Sequence, residues 1–184
     1  MTPRKNVSEL SLKKIVTSFC APIKEEHAWA LIFMGMTRMI DISQQHDKIY
    51  LIRSLDHLLI TAEGDIKADS FTEGNDEQKK RRVMTNLATG IAELATTIYD
   101  ALDWELPFER QLSTDLEDLI DFMISADDAD QEDEGISIGE DEMNIDLCQK
   151  IFDSCRRHHS IVSIYRSVYC TVHIYFFTIP FDFC

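Results

Sequence analysis

Residues 98–123 read IYDALDWELPFERQLSTDLEDLIDFM, and the fold turns on this stretch. Ile98 to Leu102 closes one helix, and Pro107 stops any extension of it. A second helix starts after Ser113, with Leu116, Leu119, Ile120 and Met123 at helical spacing on one face. Ser113 is an N-cap type, and acids follow it where the positive end of the helix dipole favours them. Asp100 to Met123 alternates acids with Leu102, Trp104, Leu106, Phe108, Leu112, Leu116, Leu119, Ile120 and Phe122. That interleaving belongs to folded, amphipathic structure.

Working outward, the first of these helices is expected over Val83–Leu102, burying Val83, Leu87, Ile91, Leu94, Ala95, Ile98 and Leu102. Nearer the N-terminus, Ser11 caps a short helix through Ser18, with Leu12, Ile15, Val16 and Phe19 on one face. Pro22 followed by Glu25 and Glu26 opens another, whose stripe of Ala28, Leu31, Ile32 and Gly35 runs to about Met39. Lys48–Thr61 mixes periods. Leu58–Thr61, the Glu63-Gly64-Asp65 turn and Ile66–Ala68 read as a small β-hairpin. Thr72–Lys80 is a polar loop, and Ile145–Arg157 is amphipathic with basic residues at its end. The expected class is mostly α, a helical domain with one short β-hairpin and no repeats.

The chain has 184 residues and a formal net charge of -15. Its hydrophobic fraction of 45% is too high for a disordered chain, and the acidic balance is wrong for a nucleic-acid binder. The charge is localised: residues 1–99 are neutral, residues 100–153 carry -17 and residues 154–184 carry +2. Within the acidic block, 125–142 (SADDADQEDEGISIGEDE) has too little apolar surface to offset its ordering entropy and reads as a disordered loop. The folded part says more. Like charges on one structured face repel, and a cationic partner relieves that cost; a solvated helix face is the competing reading.

Five cysteines, with no C-x-x-C pair, fit reduced thiols in a cytosolic protein. The opening MTPRKNVSELSLKK lacks the apolar core of a secretory signal. Asp130 to Asp141 copies a calcium loop only superficially, with Glu at positions that usually hold Asp or Asn. Cys148, Cys155, His158 and His159 fit no structural zinc spacing. No metal and no cofactor is expected. Ser167–Phe181 is apolar over only 15 residues, short of the ~20 a membrane span needs.

The order of motifs resembles a protein kinase C-lobe. Leu58-Leu59-Ile60, Gly64 and Ile66-Lys67-Ala68 resemble the strands and turn that precede the kinase metal motif. Ile98–Leu102 with Leu106-Pro107-Phe108 resembles the end of its buried helix. The phosphotransfer groups are missing: the HRD register falls on Tyr50-Leu51-Ile52, His57 takes the asparagine slot, and D-F-G becomes Ser70-Phe71-Thr72. No base and no metal-binding carboxylate is in place, and too few residues precede position 58 for a nucleotide-binding lobe, so no enzyme is expected.

A noncatalytic C-lobe of this size resembles the KIND family, and within it the Spire family of actin-nucleation factors. The carrying residues are Ser11-Leu12, Ile15, Pro22-Ile23, Glu25-Glu26, Ala28-Trp29-Ala30, Ile98–Asp103, Leu112-Ser113, Leu116-Glu117, Leu119-Ile120-Asp121 and Met123, followed by an acidic loop. The likeness covers about 8–157. Residues 158–184 do not resemble the family's closing helix, and the chain reads as a fragment, a short isoform or a gene model running past an exon boundary.

The resemblance implies a module that binds the basic C-terminal tail of a Cappuccino-type formin. It further implies a part in actin nucleation, cytoskeletal organisation and vesicle transport, with actin contacted only indirectly. A cytoplasmic, cytoskeleton-associated location follows, with vesicle membranes reached through the full-length protein and no membrane contact by this piece itself. The alternative is a pseudokinase-like regulator of a different basic partner. The residues themselves offer an acidic rim of Asp100, Asp103, Glu105, Glu109, Glu117, Asp118 and Asp121 around an apolar floor of Tyr99, Leu102, Trp104 and Leu106. Plain core is the competing role for the floor residues. A basic amphipathic peptide would dock apolar side down, steered in by the rim.

Overall fold

The computed structural model describes residues 9–46, 49–72, 84–108, 110–126 and 140–158, with backbone only at 140–144 and 158. Glu109, most of the acidic loop, the calcium-like pattern, the polar loop beyond Thr72 and the C-terminal segment from residue 159 lie outside the described residues. The elements are β1 (Glu9–Ser11), α1 (Leu12–Phe19), α2 (Glu25–Ser43), β2 (Ile49–Tyr50), β3 (Leu59–Thr61), β4 (Met84–Thr85), α3 (Leu87–Leu102), α4 (Thr114–Ile124) and α5 (Glu140–His158). The described residues form a mostly helical domain with short paired strands, as expected.

Helix α2 is the centre. Every residue from Ala28 to Met36 is buried, and a helix apolar on all sides must be surrounded. Helices α3 and α5 pack against it, and α4 packs on α3. Glycine sets the closest approach of α2 and α3: a Cβ on Gly35 would lie 2.6 Å from Leu94 Cδ2. At Gly90 the obstruction is the Ile49 side chain on β2. The Phe33 and Phe152 rings meet edge to face at 5.3 Å and join α5 to the centre.

The capping reading at α1 agrees with the structure. Ser11 Oγ accepts the Lys14 amide at 3.3 Å, and Cys20 closes the helix in the left-handed region at φ 48°. Other boundaries move. Helix α2 continues to Ser43, since no Gly or Pro stops it after Met39. Helix α3 starts at Leu87, not Val83, because Asn86 Oδ1 accepts the Thr89 amide while Met84–Thr85 pairs with Ile49–Tyr50. Helix α5 starts at Glu140, so the last acids assigned to the loop form its first turn, favoured there by the dipole. Ser125 and Ala126 end α4 in a turn.

The hairpin is present but is not alone. Thr61 N–H donates to the Asp65 carbonyl at 2.8 Å and Lys67 N–H to the Leu59 carbonyl at 2.9 Å, with Gly64 at φ 85° in the turn. Its return arm is reduced to one bridge, Ile60 to Ile66. The free edge of β3 takes up β1 instead, with Leu10 opposite Ile60. Arg38 on α2 locks the turn, donating from Nη2 to Asp65 at 2.8 Å and from Nε to the Ile66 carbonyl at 3.1 Å.

Candidate partner-binding site

Residues 99–113 connect α3 to α4 and hold most of the candidate site. The last turn of α3 leaves Asp100 exposed and Tyr99 half-buried. Leu102 is corrected: at 1% exposed it faces inward with Ile98, one helical turn back, and offers no surface to a floor. Asp103 ends the helix, its N–H donating to the Tyr99 carbonyl at 3.0 Å. The chain then reverses tightly, Leu106 N–H donating to the Asp103 carbonyl at 3.2 Å.

Glu105, within that reversal, sits at φ 52°. A non-glycine residue there costs on the order of 1 kcal/mol, a strain that the bonds around it must hold. Trp104 and Leu106 on either side are half-buried, while Pro107 is exposed and Phe108 is 83% exposed. Phe108 is the site residue that sequence reasoning passed over. Its signal was present, since Phe108 follows a helix-stopping proline and lies beyond the last periodic apolar position.

Two polar atoms in this turn are buried with no hydrogen-bond partner: the Asp103 Oδ1 acceptor and the Trp104 Nε1 donor. Asp100 and Asp103 lie three apart at the helix end. Partial burial, then the neighbouring Asp103 charge, hold the Asp100 carboxyl above the usual aspartate range. The turn therefore combines strained backbone, crowded carboxylates and half-buried aromatics.

The acids of α4 do not all join this group. Leu116, Leu119, Ile120 and Met123 form its buried face, which fixes where the others sit at 100° per residue. Glu117 and Asp121 fall on one flank with the partly exposed Ile124. Asp115 and Phe122 fall on the other flank, and Asp118 lies between. Asp118 and Phe122 line an open groove against α5, across from Lys150, Arg156 and Arg157. Lys150 Nζ stands 5.9 Å from the centre of the Phe122 ring. Asp118 thus sits among cations of its own chain, which lowers its value as a rim charge for a basic ligand. Asp100, Asp103 and Glu105 are brought together by sequence and turn geometry.

The connection is framed by the segment before α2. Ile23 N–H donates to the Ala101 carbonyl at 3.0 Å, and Arg110 Nη1 donates to the Ile23 carbonyl at 2.8 Å. Two residues on, Glu25 accepts both the N–H and the hydroxyl of Ser113.

Of the positions that the kinase likeness singled out, Leu51, Ile52, Ser70 and Phe71 are buried, while Tyr50, His57 and Thr72 are partly exposed. Ser70 is fully buried, and its Oγ accepts the Leu59 amide at 2.9 Å. Tyr50 N–H donates to the Phe71 carbonyl at 2.9 Å, Thr97 Oγ1 to the Ile52 carbonyl at 3.2 Å, and Arg53 N–H to His57 Nδ1 at 3.2 Å. Cys148 and Cys155 are buried on α5, and burial pushes their thiols up to about 11 and about 12. Among the described residues no three His, Cys, Asp or Glu side chains gather as a metal site, and no helix is long and apolar enough to cross a membrane.

The sequence matches the profile of the kinase non-catalytic C-lobe domain, KIND, over residues 10–175. Among curated proteins it is similar to protein spire homolog 2 of Danio rerio, 32% identical over 152 residues, which is 76% of this chain and 25% of that protein. Protein spire homolog 2 of Homo sapiens is 31% identical over 124 residues, 66% of this chain and 17% of that protein. The Mus musculus counterpart is 32% identical over 121 residues, 65% and 16% of the respective chains. The matched stretch thus spans a quarter or less of these relatives' length.

Proposed function

The chain belongs to the kinase non-catalytic C-lobe domain family, and from that premise we propose that it is a binding module which captures the basic C-terminal tail of a formin. One observation carries the reading. Three carboxylates, Asp100, Asp103 and Glu105, share a single turn with half-buried Tyr99, Trp104 and Leu106 and with the exposed Phe108. A cationic amphipathic segment matches such a surface: its Lys and Arg meet the carboxylates, and its apolar side meets the aromatics. Likeness to the Spire proteins favours a formin tail among basic partners and supports a role in actin nucleation and vesicle transport, at the cytoskeleton. The chain performs no phosphoryl transfer on this reading, since the buried Ser70 stands where the metal-binding aspartate would be.

Association should be fast and salt-sensitive, because rim charges act mainly on the encounter and are screened within about 8 Å at physiological ionic strength. The test is titration of a labelled formin-tail peptide at low and physiological salt, with a composition-matched scrambled peptide as control. Tight, sequence-dependent binding supports the reading. Equal binding of the scrambled peptide points to the alternative, a regulator of a different basic partner. No binding at low salt refutes both.

A further inference from the structure

We propose that Glu25, on α2, is a positioning residue for the partner-binding turn, acting through Ser113. The inference rests on the binding role given to that turn. Ser113 occupies the N-cap of α4 with extended backbone, yet makes no side-chain capping bond within its own helix. Its hydroxyl donates to Glu25 Oε2 at 2.6 Å, and its N–H donates to Glu25 Oε1 at 3.1 Å. One carboxylate thus takes both donors of a residue 88 positions away. Glu25 lies in the first turn of its own helix and also holds the start of α4, so its charge sits at two positive helix ends.

The same short segment grips the other end of the connection. Ile23 receives Arg110 and donates to Ala101, so residues 23–25 hold positions 101, 110 and 113. The stretch between Asp103 and Ser113 has no helix or strand among its described residues, and Glu105 within it is strained. Its conformation therefore depends on contacts at its ends as well as on Trp104 and Leu112, which pack against the core. Of the holding contacts, the Glu25 pair alone is bidentate, and like the Arg110 bond it is charge-assisted. Releasing it loosens the connection that carries Asp103, Trp104 and Glu105 while leaving the α2–α3 core packed.

The test compares Glu25→Ala, Ser113→Ala and Ser113→Thr with the unaltered chain. Amide hydrogen exchange is followed in peptides spanning 104–112 and in the core of α3, and affinity is measured for a synthetic Lys- and Leu-rich amphipathic peptide. In Glu25→Ala, exchange across 104–112 should rise about tenfold and affinity fall about five- to tenfold, with residues 91–98 unchanged. Ser113→Ala should show part of this, and Ser113→Thr, which keeps the hydroxyl, should restore it. Unchanged exchange in 104–112, or an equal rise in 91–98, overturns the proposal. Failure of the unaltered chain to bind the peptide counts against the binding role instead, and the exchange pattern still decides whether Glu25 sets the turn.

Discussion

Replacing Asp103 and Glu105 together by lysine should abolish most of the affinity for a basic peptide without unfolding the domain. The turn over residues 99–106 carries Asp100, Asp103 and Glu105 and no base, a formal -3; the double variant makes it +1. The change is four charge units. At about 8 Å in water each pair of unit charges interacts by about 0.5 kcal/mol. Against a peptide with about three cations the gross change is about 6 kcal/mol, and screening over one Debye length leaves about 2 kcal/mol. That corresponds to about thirtyfold in Kd at physiological ionic strength, growing as salt is lowered.

The fold should tolerate both substitutions. Asp103 ends α3, where a cation suits the helix dipole and relieves the repulsion felt by Asp100. Glu105 already bears the strain of a positive φ, which lysine would share. Fluorescence anisotropy at two salt concentrations, with thermal unfolding as the control, reads both effects. A double variant that folds and binds within about threefold of the original at low salt would refute the placement of the site.

Trp104→Phe removes the unpartnered indole donor. Stability should hold or rise by about 1 kcal/mol, while peptide affinity falls if a bound ligand supplies the missing acceptor; thermal unfolding and titration read the two. Gly90→Ala should destabilise by about 1–2 kcal/mol in denaturant titration, because crowding against Ile49 outweighs the better helix propensity of alanine, and a gain in stability would contradict the packing described. His27 Nδ1 accepts the Lys24 amide, and burial foremost lowers its affinity for a proton. The unfolded chain then binds more protons, so stability should fall as pH drops below about 6.5, and His27→Gln should flatten that slope. A maleimide reagent at neutral pH should modify exposed Cys20 before Cys148 or Cys155, and mass mapping that finds Cys155 first would show the core of α5 to be open.

What could be read from the sequence follows the range of the interactions concerned. Ser11 was legible as a cap because its bond reaches only three residues. The start of α3 was not, since Val83 keeps the apolar register while the strand at Met84–Thr85 depends on Ile49–Tyr50, some 35 residues away. The β1–β3 pairing was hidden for the same reason. At the site, the acids and aromatics of 99–106 were plain from composition, because they are contiguous. The division of the α4 acids follows from the apolar face already legible there, but the α5 cations opposite Asp118 were not legible, as they depend on which side α5 packs. For Leu102 the periodicity that placed it on the buried face was right, and its place in the floor, taken from its nearness to the acids in sequence, was wrong. The unpartnered atoms of Asp103 and Trp104, and the grip of Glu25 on Ser113, exist only once the chain is folded.

The burial of Ser70 has a consequence for any attempt to convert this scaffold. Its hydroxyl is a strut beneath the Leu59 amide and no water reaches it. An aspartate installed there would strand a charge among close-packed neighbours, at a cost comparable to the whole stability of a small domain unless it stayed protonated and so useless for holding a cation. A single substitution to an acid here is blocked: the neighbours would have to move apart before it could be tolerated. New contacts are more accessible to this domain on its exposed acidic turn than at this buried position.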